Sequence, residues 1–321
     1  MRILLWHVHG SWTTSFVQGG HDYLVPVLPD RGPDGLGRAR SWTWPDSVVE
    51  VSPEQLGDEP PDVVVLQRPH DLELVQRWTG LRAGPDLPAV FLEHNTPVGD
   101  VPLTRHPMAE RTDVPVVHVT HLNALLWDGG AAPVTVIEHG VVDPGLLWTG
   151  DLPRAAVVTN DPVRRMRYVG ADLLPRFARV APLDVFGMRV DLLPEALRLG
   201  HDRLCPHEDL DQEQMHAEVA RRRVYLHTTR WTSLGLSLLE AMHLGLPVVV
   251  LATTEAARAV PPSAGVLSAD IDELVRGLRS LIADQDRARE AGLAARAAAL
   301  ERYGLKRFLE DWNHQLERVS R

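Results

Sequence analysis

The segment from Val224 to Ala257, VYLHTTRWTSLGLSLLEAMHLGLPVVVLATTEAA, constrains the fold more than any other stretch of the chain. A β-branched run, Val224 to Thr228, passes through a polar turn into LGLSLLEAMHL, whose apolar residues recur at helical spacing. The fully apolar LPVVVLA follows, bounded by Pro247 and Thr253. The order is strand, turn, helix, strand. A helix entered through Ser233, Leu234, Gly235 and Leu236 presents unpaired N–H groups and the positive end of its dipole, and Gly235 has no Cβ to hold an anion away. An anionic group is the natural guest there. Glu240 lies about one and a half turns further on, near enough to the open end to accept the hydroxyls of a ligand whose phosphates sit on those amides. Phosphate and diol together point to a nucleotide.

The chain has 321 residues, which at roughly 150 per domain predicts two domains, each with its own core. A net charge of -10 and a pI near 5.8 argue against a nucleic-acid partner, which would want a basic face. Cys205 is the single cysteine, so an intrachain disulfide is excluded and a reducing compartment is expected. No apolar run reaches the roughly 18 to 20 residues of a membrane span. Met1 to Leu5 leads straight into a strand rather than a signal peptide, and the expected location is cytoplasmic. Peripheral membrane attachment and oligomeric state leave no mark in this sequence.

Strand signals at Arg2 to His7, Val48 to Val51, Asp62 to Leu66, Ala89 to Leu92 and Val114 to Val119 alternate with helical stretches, which predicts an α/β class with parallel sheets. The first strand ends in HVHGSWTT, a glycine-bearing turn followed by a weak helical signal from Phe16 to Gly20. Ligands of open α/β sheets sit at this edge, so His7, His9, Gly10 and Ser11 are site candidates. PVLPDRGPDGLGRARSWTWP reads as an irregular loop with two tryptophans, Trp42 and Trp44, whose simplest task is to pack the loop down.

GLSLLEAMHLGLPVV resembles the donor-binding signature of retaining GT-B glycosyltransferases of family 4, E-G-F-G-L-P-L-L-E-A-M-A-x-G-x-P-V-V. Gly235, Leu236, Leu238, Leu239, Glu240, Ala241, Met242, Gly245, Pro247, Val248 and Val249 fall on it. The resemblance implies a GT-B fold, two doubly wound Rossmann-like domains facing a cleft. The expected division is an acceptor-binding domain over 1–150 and a nucleotide-sugar-binding domain over 151–321. A closing crossover helix would carry Phe308, Trp312 and Leu316 as its packing stripe. It also implies that Glu240 holds the ribose. The first glutamate of the signature is replaced by Thr232.

The strand PAVFLEHNTP resembles the first-domain strand that ends in a cleft histidine near the transferring sugar, a role that falls to His94. PVTVIEHGVVDPG resembles I-P-N-G-V-D, with Ile137, Gly140 and Val141 matching and Glu138, His139 and Val142 departing. Where family members carry G-R-L-x-x-x-K-G, this chain has NDPVRRMRYVG. Its Arg164, Arg165 and Arg167 are the candidates for neutralising the diphosphate, guanidinium being well suited to phosphate oxygens. By the same resemblance the loop after the strand at Arg203 to Pro206 holds the base through its backbone, which places Leu204, Cys205 and Pro206 near it. Asp209-Leu210-Asp211 and Asp270-Ile271-Asp272 match the D-x-D pattern of metal-dependent transferases of another fold, but both stand where a helix begins, where carboxylates serve the dipole, and no metal is expected.

The resulting expectation is a retaining, hexosyltransferase-type and metal-independent enzyme without a cofactor. It would move a sugar from a nucleotide-sugar donor to a sugar, lipid or small-molecule acceptor. The leaving phosphate would take the acceptor's proton, and His9, Gly10 and Ser11 would lie on the acceptor side. A nucleotide-sugar epimerase shares the fold but lacks this spelling. A GT-B relative that binds nucleotide or glycan without turnover is the alternative, favoured by Thr232 and by the missing Gly-Arg pair and Lys.

Overall fold

Short runs of Val, Ile and Leu flanked by Pro, Gly or Asp become parallel strands throughout the computed structural model, which describes residues 1–321. The chain divides into two units, Met1–Val142 with Leu305–Arg321, and Asp143–Gly304. The boundary thus precedes the expected residue 150. Backbone hydrogen bonds explain the difference: Leu147 and Trp148 donate to the Leu244 carbonyl, and Thr149 donates to that of Ala220, so the segment before the first strand of the second unit already belongs to that unit.

The first unit contains β1 (Arg2–Leu5), α1 (Gly10–Phe16), β2 (Asp22–Pro26), β3 (Val48–Val51), α2 (Pro53–Asp58), β4 (Val63–Leu66) and α3 (Asp71–Thr79). It continues with β5 (Ala89–Glu93), β6 (Val116–His118), α4 (His121–Leu126) and β7 (Val134–Val136). Its strands lie in the order β3-β2-β1-β4-β5-β6-β7, every neighbouring pair parallel. Two local features differ from the sequence expectation. Asp22–Pro26 is a strand, its Tyr23, Leu24 and Val25 fully covered, and the turn expected after β1 is the helix α1. Gly10 and Ser11 therefore stand in the first turn of a helix, and the helical signal lies earlier than Phe16 to Gly20. Trp44 is buried and donates its indole N–H to Thr14 Oγ1 at 2.8 Å, while the Trp42 ring lies against Gly10, so both tryptophans pack the loop onto α1.

The second unit contains β8 (Leu152–Val158), α5 (Leu174–Ala178), β9 (Leu183–Gly187), α6 (Leu193–Leu197), β10 (Leu204–Glu208) and α7 (Gln212–Arg221). After these come β11 (Arg222–His227), α8 (Leu236–Leu244), β12 (Val248–Leu251), α9 (Ala256–Ala259), β13 (Gly265–Ser268), α10 (Ile271–Ala283) and α11 (Gln285–Tyr303). The order β10-β9-β8-β11-β12-β13 is again fully parallel. Residues alternate across this sheet. Ala155, Val157, Leu183, Val185, Val224 and Leu226 enter one apolar core, and Arg154, Asp184, Phe186, Tyr225 and His227 occupy the other face. No helix in the chain is long and apolar enough to cross a membrane.

The last helix, α12 (Leu305–Val319), is part of the first unit. Its buried stripe of Phe308, Trp312 and Leu316 meets α1, where the Trp12 and Phe16 rings lie 5.4 and 5.1 Å from Trp312 with edge-to-face geometry. Removing a large buried aromatic leaves a cavity its neighbours cannot close. Trp312→Ala is expected to lower the unfolding free energy by about 3 to 5 kcal/mol, whereas Leu293→Ala, at a half-exposed position of α11, should change it by less than about 0.5 kcal/mol; urea denaturation followed by tryptophan fluorescence measures both.

Candidate functional site

In each sheet the strand order reverses once, between β1 and β4 and between β8 and β11, and the loops leaving those strands must part there. Such switch points at the carboxyl ends of parallel strands are where ligands bind. In the second unit the two loops are tied edge to edge. Thr228 Oγ1 donates to the Val169 carbonyl at 3.0 Å, and the amides of Arg230 and Trp231 reach the Tyr168 carbonyl at 2.8 and 3.2 Å. Gly170 has φ +70 and lies so close to the Thr228 carbonyl that a Cβ would collide with it. Glycine is required there on both counts.

The loop after β11 runs into α8, whose N-cap is Gly235 and whose first turn receives no side-chain cap. The Leu238 amide donates to the Gly235 carbonyl at 3.0 Å, and the amides of Leu236 and Ser237 have no internal acceptor. The space in front of Gly235, expected to be left for an anion, holds the His227 imidazole: a Cβ at Gly235 would meet Cε1 at 2.6 Å and Nε2 at 3.2 Å. Ser233 and Leu234 are buried just before the helix, and Leu236 opens it. Glu240 is the fifth residue of α8 and only 6% exposed. A carboxylate offers about four lone-pair sites. Here it accepts one long hydrogen bond, from Gln212 Nε2 at 3.4 Å, with His216 Nε2 standing off at 3.6 Å. Gln212 begins α7, directly after the Asp209 to Asp211 loop, so that loop and Glu240 are joined.

Other expected residues are placed differently. Cys205 and Pro206 are inside β10, paired with Asp184 and Val185 of β9, because the strand continues to Glu208; the loop after it is Asp209 to Asp211. The Glu208 carboxylate accepts from the amides of Arg189 (2.5 Å), Val190 (2.8 Å) and Asp191 (3.3 Å), fixing the loop after β9 against it. Arg164 is paired with Asp161, and Arg167 lies 3.5 Å from Asp172, which also holds Arg230 through both oxygens at 2.5 and 2.9 Å. Of the three expected cations, Arg165 is held by its backbone, its amide donating to the Asp161 carbonyl at 3.0 Å, and its guanidinium acts on Asp161 only through its charge. Thr232 is half-buried. Asp211 and Asp270 cap α7 and α10. Asp184, Cys205 and His207 bring ligand-type atoms within 4.8 Å of one another, yet both Asp184 oxygens already accept from guanidiniums, Arg154 at 2.6 and 2.8 Å and Arg222 at 2.7 Å. A cation added there would face two others.

In the first unit the carboxyl edge gathers histidines. His9 follows β1, His94 follows β5 and His139 follows β7; the His9 and His94 rings are 3.9 Å apart. Gln67, after β4, donates its Nε2 to the Trp6 carbonyl at 2.7 Å, which turns Oε1 toward His94 Nε2 at 3.3 Å. His94 therefore carries its proton on Nε2 and offers a lone pair on Nδ1. Burial first, then the neighbouring His9 and His139, hold the His94 pKa well below the usual 6.5. Burial lowers His9 to about 4, and burial with the nearby His9 and Arg307 lowers His139 to about 3. Beneath them Glu93 accepts from His106 Nε2 at 3.1 Å, the tautomer being set by the Met108 amide on Nδ1. Gln67, His139, Gln212 and His227 were not singled out from sequence. His139 alone left a trace, as a departure from the I-P-N-G-V-D pattern.

Comparison of the whole structure with solved ones is decisive for the architecture. Sucrose-phosphate synthase from Thermosynechococcus elongatus superposes with a TM-score of 0.72 at 14% identity, covering 99% of this chain and 98% of that one. The fold is GT-B. Anabaena HepE in complex with UDP-glucose shares this GT-B fold with a TM-score of 0.69, 16% identity and coverage of 99% and 100%. TarM from S. aureus, as a mutant in complex with fondaparinux, α-GlcNAc-glycerol and UDP, has a TM-score of 0.64 at 14% identity; the match covers 82% of this chain and 58% of TarM, so the chain spans less than two thirds of that relative. Residues 194–298, which include β10 to β13 and α8, match the family model of glycosyl transferases group 1. No curated protein matches the sequence.

The histidine edge makes the stability pH-dependent. Its imidazoles titrate below an unfolded value of about 6.5, so below that pH the unfolded chain binds protons that the native chain does not. Stability is complete above pH 6.5 and falls as the pH drops towards 4, by up to about 1.4 kcal/mol per pH unit for each such histidine. Urea midpoints measured from pH 7 to 4.5 should decline, and His139→Leu should flatten the slope.

Proposed function

We propose that this protein is a glycosyltransferase that moves a sugar from a nucleotide-sugar donor to a hydroxyl of a sugar, lipid or small-molecule acceptor, with retention of configuration and without a metal. Glu240 carries the assignment of the donor to the second unit. A buried carboxylate with a single long internal hydrogen bond is costly unless a ligand completes it, and vicinal ribose hydroxyls are donors of the right kind. The unsatisfied first amides of α8 and the guanidinium of Arg165 would stabilise the charge that grows on a departing diphosphate. The group 1 match over this segment and the UDP-glucose bound by Anabaena HepE support the same ligand class. The histidine edge of the first unit is the acceptor side, with His94 acting on the transferring sugar and His9, Gly10 and Ser11 beside it. In a retaining reaction the leaving phosphate takes the acceptor's proton, so no dedicated protein base is needed.

A second reading keeps nucleotide binding without turnover. Thr232 cannot accept hydrogen bonds as strongly as a glutamate, and Arg164, Arg167 and Arg230 are already engaged by Asp161 and Asp172. Transfer or hydrolysis of radiolabelled nucleotide sugars separates the two readings.

Calorimetric titration with UDP, GDP, ADP and dTDP should find one preferred diphosphate. Glu240→Ala should cost about 1.5 to 3 kcal/mol of its affinity; undiminished binding would sink the ribose assignment. His94→Ala should reduce turnover much more than it weakens nucleotide binding, since an interaction made mainly in the transition state appears in the rate. Equal small losses in both would return His94 to a packing role.

A further inference from the structure

We propose that His227 is a ligand-binding residue that donates a hydrogen bond to the diphosphate of the nucleotide. The proposal rests on the assignment of the donor to the second unit and adds a residue that the resemblance, the family match and the signature do not assign.

His227 is the last residue of β11, at the carboxyl edge and on the sheet face that carries α8. Its side chain is more than nine-tenths buried, yet neither ring nitrogen has a hydrogen-bond partner. The contrast with other buried histidines is informative. His243 gives one nitrogen to the Leu239 carbonyl at 2.8 Å, and the unbonded nitrogens of His118, His139 and His216 are sealed from solvent; those of His227 are not. The ring is placed against Gly235, the N-cap of the nine-residue helix α8, with Nε2 nearer than Nδ1 to the position a Cβ would take.

Burial keeps this imidazole neutral near pH 7 by lowering its pKa to about 4. A neutral ring holds one N–H with no internal acceptor, and it stands at the start of a helix whose Leu236 and Ser237 amides also lack acceptors, the Leu238 amide being used on the Gly235 carbonyl. Donors that converge and lack acceptors are complementary to an anion with several oxygens. The sequence fits this arrangement. Gly235 has φ -68, which any residue adopts, so its need for glycine is steric: a methyl group would drive the imidazole away from the helix mouth.

The test uses the full-length protein and whichever of UDP, GDP, ADP and dTDP the parent binds best. With 15N-labelled histidine, the His227 ring resonances should shift on adding that diphosphate and stay in place on adding the corresponding nucleoside. His227→Phe, which keeps the ring but no donor, should weaken diphosphate binding about tenfold or more; His227→Gln, which restores a donor, should recover part of it. Unmoved His227 resonances, or a His227→Phe variant that binds as tightly as the parent, would overturn the proposal while leaving the donor site standing. A parent that binds none of the four diphosphates would overturn both. Should His227→Phe fail to fold, the parent's resonances decide alone.

Discussion

The reversal of strand order between β8 and β11 is the constraint on which the second unit's chemistry depends. Two loops that leave adjacent parallel strands in opposite directions open a crevice at the carboxyl edge, and the backbone exposed there must be satisfied by something. One side is closed internally, by the Thr228 hydroxyl on Val169 and the close approach of Gly170 to the Thr228 carbonyl. The other side, the start of α8, is left open. The seam thus fixes the loop that leads into α8, and with it the direction in which the first amides of that helix point.

The first unit solves the same topological problem with side chains. Its reversal between β1 and β4 places Gln67 where one amide group fixes two loops, donating to Trp6 and accepting from His94. The histidine tautomer follows from that amide, since the group facing the Trp6 carbonyl must be the NH2. Crowding of His94, His9 and His139 then favours neutral rings, which suits hydrogen bonding to uncharged hydroxyls better than to an anion.

Much of this was legible in the sequence, and the exceptions share a cause. The alternation of apolar runs and helical stretches identifies the α/β class, and the spelling around Glu240 identifies the helix that carries it. What failed was local and depended on tertiary partners. Gly10 and Ser11 read as a turn because glycine and serine are weak helix formers, but α1 is held by Trp12 and Phe16 packing on Trp312, a residue three hundred positions away in the chain. Cys205 and Pro206 read as the end of a short strand, but β10 runs on to Glu208, its proline being tolerated on an edge strand. His227 and Gln67 gave no signal at all: a histidine or glutamine after an apolar run is ordinary in sequence, and only the absence or presence of partners in space distinguishes it.

Two buried carboxylates of the second unit show how partners separate support from function. Asp184 and Glu240 lie on the same face of the sheet, 2% and 6% exposed. Burial alone would push the Asp184 carboxyl up, but hydrogen bonds from His207, Arg154 and Arg222 outweigh it and hold the group well below the usual range. Asp184 is a finished ion cluster, closed further by Glu218 on Arg222 at 2.5 Å, and adding any ligand would mean breaking bonds already made. Glu240 has been taken out of water to nearly the same degree with no guanidinium beside it and one hydrogen bond at 3.4 Å. Desolvation with so little compensation is destabilising, and Gln212 and His216 leave most of the carboxylate's lone pairs without a donor. The same contrast separates Arg165 from Arg164, Arg167 and Arg230, whose guanidiniums are tied to Asp161 and Asp172 and so shape the loop.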